Sequence, residues 1–532
     1  MGADRAADAD FVIVGSGINA LVCGAALVLR GHSVLMLERE DQPGGCIRTE
    51  ELTLPGFRHD TLSTLYPLFL TAPHYAELGP ELARHGLVFR NSPTPTAVVR
   101  PDGASLIFRT DRAANTAALE ACAPGDGDAY ARAMAEVERI APLVFGLLGG
   151  RLWSWQTIRL LLGEARRQGI RGLARTFGLM LRSSRAWLEQ DFRAGLSRGL
   201  FAPWVLHVGL SPESTASALM NRLVLFSLEA VGSPMVEGGS ARIVEAFAGL
   251  IAEKGGRIRT GTDVERVLVE GGRARGVRLR GGEVLRARKA VIASVTPTQL
   301  YERLLVEAPV DDAAREEAGA FRYGRGEMQI HLALSEPPAW PDPALQNVAM
   351  LHLTPGLDAV SRAVNEAERG LLPADATIVV AQPVAVDPTR APEGKWIFWI
   401  QLQELPRDGC LTGDALGEIA IPEDGHWTEA VREAYADRIV DRLCMLIPNL
   451  RESILARHAI SPADLQRLNI NLVGGDPYGG DCALDQFMVW RPGATPANHA
   501  TAVPGLYQIG ASTHPGPGLG GMSGYMVAKL LG

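Results

Sequence analysis

The sequence predicts an α/β protein of at least two domains, one of which is built on a parallel sheet. Three observations support this prediction. A strand, a glycine-rich turn and an apolar helix open the chain at 10–30, alternating strands occupy 257–294, and an apolar strand, a glycine-rich loop and a helix close it at 505–531. At 532 residues, the chain also exceeds the roughly 250–300 residues at which a single core stops growing.

The first element is a βαβ unit with the spacing of a dinucleotide-binding fingerprint. An apolar run with the pattern of a buried strand precedes the turn Gly15-Ser-Gly-Ile-Asn-Ala20. Gly15 permits the tight turn, Gly17 lets the backbone approach a pyrophosphate, and Ala20 keeps the helix close to the strand. A second strand ends at Glu38, which is placed to accept hydrogen bonds from a ribose. The helix N-terminus then faces the phosphates with unpaired N–H groups.

A second glycine pair, Gly44-Gly45, follows this unit and precedes Arg48. It provides a second close approach of backbone to the phosphates of a cofactor. The stretch resembles the GG motif of flavoprotein oxidoreductases, a group that includes amine oxidases and phytoene desaturases, and this resemblance implies FAD. Cys46 stands where those families often have Arg. Because it has no neighbouring cysteine, a packing role is favoured over a redox role, and disulfide-reductase chemistry is disfavoured.

The next predicted element is a β-meander at 257–294. Turns at Gly271-Gly272 and Gly281-Gly282 separate short strands in which apolar and polar residues alternate. The last strand, 290–294, has the continuous apolar pattern of a buried strand.

The closing segment consists of strand 505–510, a glycine- and proline-rich loop and helix 522–531. Its glycines formally repeat the dinucleotide spacing, but only 11 residues follow Gly521, too few for a second nucleotide unit. As part of the first site, the helix N-terminus would present N–H groups and a positive dipole to a flavin ring, which favours the reduced flavin. The alternative is an ordinary glycine-rich loop that caps a helix.

The middle of the chain has the pattern of a substrate domain. Residues 86–110 are predicted to form strands, and 124–233 to be mainly helical, with interruptions at Pro142, Pro203 and Pro212.

Residues 151–198 carry ten arginines and three acidic residues, a net charge of +7 in a chain whose net charge is −8. Leucines, Phe177 and Trp187 lie among the arginines. Such a segment can lie in the headgroup region of an anionic bilayer, or it can be a solvated cap whose apolar face packs on the substrate domain. A lipid-soluble substrate would favour the membrane interpretation.

Composition excludes several other classes. The net charge of −8 argues against a nucleic-acid binder. The six cysteines form no CxxC pair and no histidine stands at zinc-finger spacing, so neither a disulfide framework nor a metal site is expected. We expect a cytoplasmic protein, peripheral on the inner face of the membrane if 151–198 binds lipid, because neither a signal-peptide pattern nor an apolar run of about 18 residues occurs.

With these elements in place, nearly the whole chain resembles the carotenoid desaturase and ketolase family. Five further motifs carry the resemblance: Leu54-Pro-Gly-Phe-Arg-His-Asp60, Glu237-Gly-Gly-Ser240, Leu484-Asp-Gln-Phe-Met-Val-Trp-Arg-Pro492, Gly510-Ala-Ser-Thr-His-Pro-Gly516 and the extended fingerprint Gly15-Ser-Gly-Ile-Asn-Ala-Leu-Val-Cys23. The resemblance implies FAD, a mixed-sheet substrate domain and an apolar tunnel that ends at the flavin ring. The family includes desaturases, saturases, isomerases and ketolases, so the resemblance does not fix the reaction.

The resulting prediction is a Rossmann-type FAD-binding domain with an inserted β-meander, plus a mixed-sheet substrate domain with a helical cap. The predicted segments are 1–72, 234–300 and 481–532 for the FAD-binding domain, and 73–233 and 301–480 for the substrate domain. The residues predicted to bind non-covalent FAD, with Val264 taken from the resemblance, are Gly15, Ser16, Gly17, Asn19, Ala20, Glu38, Arg39, Gly44, Gly45, Arg48, Val264, Gly510, Ala511, Gly521, Met522 and Ser523.

The predicted activity is hydride exchange with a large apolar, isoprenoid-like substrate. Flavin supplies the redox chemistry, and a protein group handles the proton. The candidates are His514, His59 and Tyr66, with Asp481 and Asp485 weaker; His514 is equally interpreted as a turn residue. Two alternatives stay open: a flavin amine oxidase, and a prenyl-binding protein of the same fold without FAD. Oligomeric state does not follow from the sequence.

Overall fold

The computed structural model describes residues 7–493 and 498–532. Its strands are β1 (Ala9–Val14), β2 (Val34–Leu37), β3 (Thr49–Glu50), β4 (His59–Asp60), β5 (Phe89–Arg90), β6 (Thr96–Val99), β7 (Ser105–Phe108), β8 (Met235–Val236), β9 (Arg257–Arg259), β10 (Val264–Glu270), β11 (Arg273–Leu279), β12 (Val284–Ala293), β13 (Gly326–Leu334), β14 (Met350–Leu353), β15 (Leu371–Leu372), β16 (Ile378–Ala381), β17 (Trp396–Leu405), β18 (Gly413–Asp414), β19 (Ile454–Ile460) and β20 (Leu506–Gln508).

The helices of the same residues are α1 (Ile18–Leu29), α2 (Pro67–Leu70), α3 (Tyr75–Arg84), α4 (Arg112–Cys122), α5 (Asp126–Gly149), α6 (Trp155–Met180), α7 (Ser184–Asp191), α8 (Gly195–Phe201), α9 (Ser217–Val231), α10 (Ala241–Glu253), α11 (Asp312–Gly319), α12 (Leu357–Glu368), α13 (Pro383–Val386), α14 (Glu429–Leu446), α15 (Leu450–Ser453), α16 (Pro462–Leu468) and α17 (Met522–Leu531).

The first sheet is parallel in the order β20-β12-β1-β2-β9. Its central strand, β1, is apolar on both faces because both faces are covered. Phe11 and Ile13 pack against α1, α10 and α17, whereas Val12 and Val14 pack against β10–β12 and the residues that follow them. Helix α1 is apolar nearly all round for the same reason: it lies between the sheet and two other helices.

The meander β10-β11-β12 extends this sheet through one shared strand. The first residues of β12 pair with β11 in antiparallel fashion, and its later residues pair with β1 in parallel. The positive φ angles of Gly271 and Gly272 form the predicted turn between β10 and β11. The prediction that the meander begins at 257 is wrong, because Arg257–Arg259 pairs with β2 as the outer strand of the parallel sheet.

The second sheet is mixed, in the order β19-β13-β17-β16-β14-β6-β7, and only β14 and β6 run parallel. Alternate residues of β13 and β17, such as Ile330 and Ile400, face a core that includes α14. Met350 and Trp399 face the opposite side and pack with the helical cap. The predicted α/β class, with a Rossmann-type sheet, an inserted meander and a mixed-sheet domain, is confirmed; the predicted domain boundaries stay a prediction.

The helical cap, α4–α9, departs from the sequence prediction at its proline and glycine positions. Helix α5 continues through Pro142, so the predicted interruption there is wrong; a proline removes one hydrogen bond but need not end a long helix that is packed on both sides. Helix α6 is instead interrupted at Gly169, whose φ of +72° only glycine adopts without strain. No helix of the described residues is both long and apolar enough to cross a bilayer.

Candidate active site

A large cavity lies between the two sheets and is lined by both domains. At one end its wall consists of the two glycine turns, the end of β2 and the start of β10. At the other end the wall is mainly apolar and comes from the residues after β4, the cap and the mixed sheet: Leu62, Leu65, Phe69, Trp204, Val224, Leu228, Met350 and Trp399. A single ligand space thus connects a nucleotide-binding turn with an apolar chamber, as expected for a site at a domain boundary.

The two glycine turns contact each other through backbone. Gly44 N–H donates to Ser16 O at 3.2 Å, and a Cβ on Gly45 would lie 3.2 Å from Gly17 Cα. A side chain at Gly45 would therefore push the turns apart. A Cβ on Gly17, in contrast, would meet no atom within 4 Å, so that side of the glycine faces open space. A ligand can therefore approach the backbone at Gly17 more closely than it could if this residue carried a side chain.

Glu38 is buried at the end of β2, and the structure holds its carboxylate in place. One oxygen accepts from the backbone N–H of Ser16 at 3.0 Å and from its hydroxyl at 2.6 Å; the other accepts from Glu40 N–H at 3.1 Å. The neighbouring Arg39 also lines the cavity and pairs with the Glu40 carboxylate. The acid is therefore fixed at the mouth of the first turn, where the ribose of a dinucleotide would lie.

Two further observations fit a cofactor with phosphate groups. Helix α1 begins after Gly17 without a side-chain cap, so its first N–H groups are free to bind an anion. Arg48 lines the cavity, and its buried Nε has no hydrogen-bond partner among the described residues. An unpaired buried guanidinium nitrogen is costly without a ligand. Together, the open cradle at Gly17 and the unpartnered Arg48 fit a bound dinucleotide such as FAD.

The remaining predicted cofactor residues divide into two groups. Val264, Gly510 and Ala511 line the cavity. Gly521, Met522 and Ser523 do not, although the sequence predicts the helix N-terminus at a flavin ring. The Ser523 hydroxyl instead accepts from Gly510 N–H at 3.1 Å and bonds the Thr513 hydroxyl, which ties the loop to the helix.

Helix α17 is fixed to the fingerprint helix by close packing. Asn19 lines the cavity, and its side-chain oxygen also accepts from Gly524 N–H at 3.3 Å. A Cβ on Gly524 would lie 1.8 Å from the Asn19 carbonyl oxygen, so only glycine permits this contact. Ala20 is buried inside the same helix interface. These two residues connect the first and last elements of the site.

Of the three candidate proton-handling residues, the structure brings only Tyr66 to the cavity wall. The Nε2 of His514 bonds the Leu147 carbonyl oxygen at 3.1 Å, as a turn residue would. His59 lies beneath the substrate sheet, with its Nε2 2.8 Å from the Thr53 hydroxyl. Burial lowers the pKa of both histidines, so both are neutral at physiological pH. A catalytic role for either stays a prediction that the cavity geometry does not support.

Tyr66 itself is poorly placed to exchange a proton. Its hydroxyl lies 2.8 Å from the Ser63 hydroxyl, and burial raises its pKa well above the usual value. The residue therefore stays a protonated phenol across the physiological range. The weaker candidates Asp481 and Asp485 pair with Arg322 outside this cavity.

A polar row on the cavity face of the mixed sheet was not predicted from the sequence. It comes from alternate residues of two paired strands, and the members that line the cavity are Glu327, Gln401 and Gln403. The intervening residues Met328 and Ile400 face the core. The alternation in Gly-Glu-Met-Gln-Ile-His was visible, but such a pattern normally indicates a solvent face. The second domain turns that face into a cavity wall.

Comparison with known proteins agrees with this geometry. The model of the family described as flavin containing amine oxidoreductase matches residues 21–394, about 70% of the chain. The chain belongs to this flavin-containing oxidoreductase family. It is therefore an FAD-dependent oxidoreductase, and the predicted cofactor is confirmed at the level of the family.

Individual relatives cover nearly the full length of the chain. It is 28% identical to a pyridine nucleotide-disulfide oxidoreductase domain-containing protein 2 of Rattus norvegicus, over 98% of this chain and 93% of that protein. It is also 28% identical to a neurosporene-forming phytoene desaturase of Cereibacter sphaeroides, over 99% and 95% respectively. The resemblance to carotenoid desaturases is thus confirmed. An oxidoreductase structure from Methanosarcina mazei has the same fold, with a TM-score of 0.57 at 18% identity, covering 98% of this chain and 99% of that one.

Proposed function

We propose that this flavoenzyme removes hydrogen from adjacent carbons of a large apolar, isoprenoid-like substrate. The observation that carries the proposal is the continuous cavity, which begins at the glycine turns and ends among apolar side chains of the cap and the mixed sheet. The chamber is lined by Trp204, Leu228 and Trp399, against which an apolar chain can bury its surface. Such burial stabilises binding by roughly 25 cal/mol per Å² removed from water. The phytoene desaturase relative, named for an apolar polyene, supports the same substrate class.

The protein positions the substrate against the cofactor, and the cofactor supplies the redox chemistry. Bound FAD would supply a two-electron acceptor. The residues that we propose to hold it non-covalently are Gly15, Gly17, Glu38, Gly44, Gly45, Arg48, Val264, Gly510 and Ala511. The apolar wall excludes water and aligns one stretch of the substrate with the cofactor end of the cavity.

We further propose that the substrate is collected from a membrane surface by α6 and the residues directly before and after it. Seven of the sixteen exposed large apolar side chains of the described residues lie in this one region: Trp153, Trp155, Ile158, Leu162, Ile170, Phe177 and Leu181. Trp155 is 76% exposed and Ile170 83% exposed. The later part of 151–198 does not share this exposure, because Trp187 and Phe192 are fully buried in the cap core.

The charges of the same region match an anionic lipid surface. Of the arginines between 151 and 181, Arg167 pairs with Glu164, whereas Arg159, Arg166 and Arg171 have no ion pair among the described residues. Each basic residue near anionic lipid contributes about 1 kcal/mol, and the exposed apolar side chains add burial. Helix α6 packs on α5 and α9, and α9 lines the cavity with Val224 and Leu228. A substrate that left the membrane at α6 would thus reach the cap that covers the chamber.

Flotation with vesicles tests the membrane contact. Replacement of Arg166, Arg167, Arg171 and Arg175 by Gln is expected to reduce binding to phosphatidylglycerol vesicles and leave the FAD content unchanged. The matched control removes four exposed arginines elsewhere: Arg84, Arg242, Arg280 and Arg288. If the unaltered protein stays in the soluble fraction at low salt, α6 is a solvated cap and the proposal fails.

Mass spectrometry of apolar molecules that co-purify with the yellow protein tests the substrate class. We expect isoprenoid-like compounds at up to one per FAD. Two alternatives have distinct outcomes. Peroxide release on putrescine would indicate an amine oxidase, and a colourless protein that retains prenyl compounds would indicate a binding protein without FAD.

A further inference from the structure

One carboxylic acid, Glu327, lies buried on the wall of the cavity. It comes from the polar row of β13, is only 4% exposed, and accepts a hydrogen bond from the side-chain amide of Gln329. Among the described residues, no arginine, lysine or histidine forms an ion pair with it. A buried, unpaired carboxyl group is costly when charged, so its presence on a ligand-facing wall requires an explanation.

Glu327 lines the cavity together with residues of both glycine turns and of the apolar wall. Burial raises the pKa of the Cys46 thiol, directly after the glycine pair, and the Glu327 carboxylate adds to that rise. Burial also raises the pKa of Tyr478, and Glu327 again adds to the rise. The loop of Tyr478 continues to Gly479, where a Cβ would lie 3.0 Å from Ala511 Cβ in the closing loop. Cys46, Tyr478, Gly479 and Ala511 line the same cavity as Glu327.

We propose that Glu327 accepts the proton that a desaturation releases, an inference that rests on the proposed function. On one substrate carbon, the C–H bond breaks and its hydrogen leaves with both electrons as hydride, for which bound FAD would supply the two-electron acceptor. On the adjacent carbon, the proton passes to a Glu327 carboxylate oxygen, and the electron pair of that C–H bond becomes the second bond of the new C=C. The proton then leaves to water through the cavity.

The surroundings of Glu327 suit a base that works near neutral pH. Burial raises its pKa to about 7, and hydrogen bonds from Gln401 and Gln329 partly oppose this rise. Three titratable groups interact with it electrostatically: Cys46, Tyr478 and Asp476. The first two stay neutral near pH 7 because burial raises their pKa values, and the Asp476 carboxylate accepts three backbone N–H groups. The base form is therefore available above about pH 7.

The experiment compares Glu327→Gln and Glu327→Asp with Glu404→Gln in the FAD-loaded protein. Glu404 is a matched control because burial raises its pKa to about 7 as well, yet it does not line the cavity. The first readout needs no substrate: the visible spectrum of the bound flavin is recorded from pH 5 to 9. We expect a spectral change near pH 7 in the unaltered protein and in Glu404→Gln, and none in Glu327→Gln.

The second readout is anaerobic reduction of the flavin by phytoene in vesicles. We expect a rate that rises with pH through about 7, and a loss of at least about 100-fold in Glu327→Gln at unchanged FAD content, with partial activity in Glu327→Asp. Reduction by Glu327→Gln at the rate of the unaltered protein, or the same pH profile of that rate in the variant, would overturn the inference. If phytoene reduces the flavin in neither the unaltered protein nor any variant, the proposed function fails. The spectral titration then tests by itself whether Glu327 lies near the flavin. If the pH dependence of the flavin spectrum is the same with and without Glu327→Gln, Glu327 is not part of the cofactor site.

Discussion

At the scale of single residues, the site depends on a few side chains whose surroundings fix their charge state. Glu38 is held by three hydrogen bonds at the end of β2, where a charged acceptor would bind the ribose hydroxyls. Glu327 is buried on the cavity wall, and Arg48 has a buried nitrogen that lacks a partner among the described residues. Such groups are costly to bury when charged, and they are frequent at ligand sites.

Replacement of Glu38 by Ala tests its contact with FAD. We expect the affinity for FAD to fall by about 1–3 kcal/mol, or roughly 5- to 150-fold, because a charged hydrogen-bond acceptor is lost. Equilibrium dialysis against FAD measures this change. Glu253→Ala, which removes an exposed acid of α10, serves as the control. Equal FAD affinity in both variants would remove Glu38 from the cofactor site.

The buried carboxyl of Glu404 predicts a pH-dependent stability. Because burial raises its pKa from about 4.5 to about 7, the folded state binds the proton more tightly than the unfolded state. The stabilisation is therefore complete below about pH 4.5 and is lost as the pH rises through 7. Glu404→Gln does not titrate, so relative to the unaltered protein it should gain about 3 kcal/mol between pH 5 and 9. Denaturant unfolding at several pH values measures this difference in the free energy of unfolding. A difference that does not change with pH would contradict the raised pKa of Glu404.

At the scale of elements, α17 and α1 form the contact that joins the two ends of the site. Glycine at 524 is required because a Cβ would lie 1.8 Å from the Asn19 carbonyl oxygen. We expect Gly524→Ala to destabilise the protein by about 1–3 kcal/mol or more and to reduce FAD retention, since the helices must separate.

The matched control for this prediction is Gly163→Ala in α6, where a Cβ would meet no atom within 4 Å. In an exposed helical position, this change is expected to stabilise the protein by about 0.5–1 kcal/mol. Thermal unfolding with and without added FAD measures both variants. If Gly524→Ala unfolds at the same temperature as Gly163→Ala, the proposed contact does not restrict the site.

The elements that sequence analysis predicted well are those set by local pattern. The fingerprint turn, the meander turn at 271–272 and the closing strand have apolar runs and glycines whose spacing is sufficient. The predicted helix interruption at Pro142 and the predicted start of the meander at 257 were wrong because tertiary packing determines both. Helix α5 continues through its proline within the cap, and β9 pairs with β2 in the parallel sheet. The exposure of α6 is likewise set by which of its faces the cap leaves uncovered.

At the scale of the whole molecule, the cavity exists only where two domains meet. The nucleotide end was predictable because its residues lie close together in sequence between Gly15 and Arg48. The opposite wall of the cavity was not predictable from the sequence. Glu327 and Gln401 are 74 residues apart in the chain and lie on two strands that pair in the mixed sheet. Their polar alternation indicates a solvent face until the second domain covers it.

The measurement that tests the central claim most directly is an anaerobic single turnover of the FAD-loaded protein with phytoene in vesicles. We expect the yellow colour to bleach and one additional C=C bond to appear in the extracted polyene for each flavin reduced. A flavin that phytoene leaves oxidised, but that putrescine reduces, would contradict this claim.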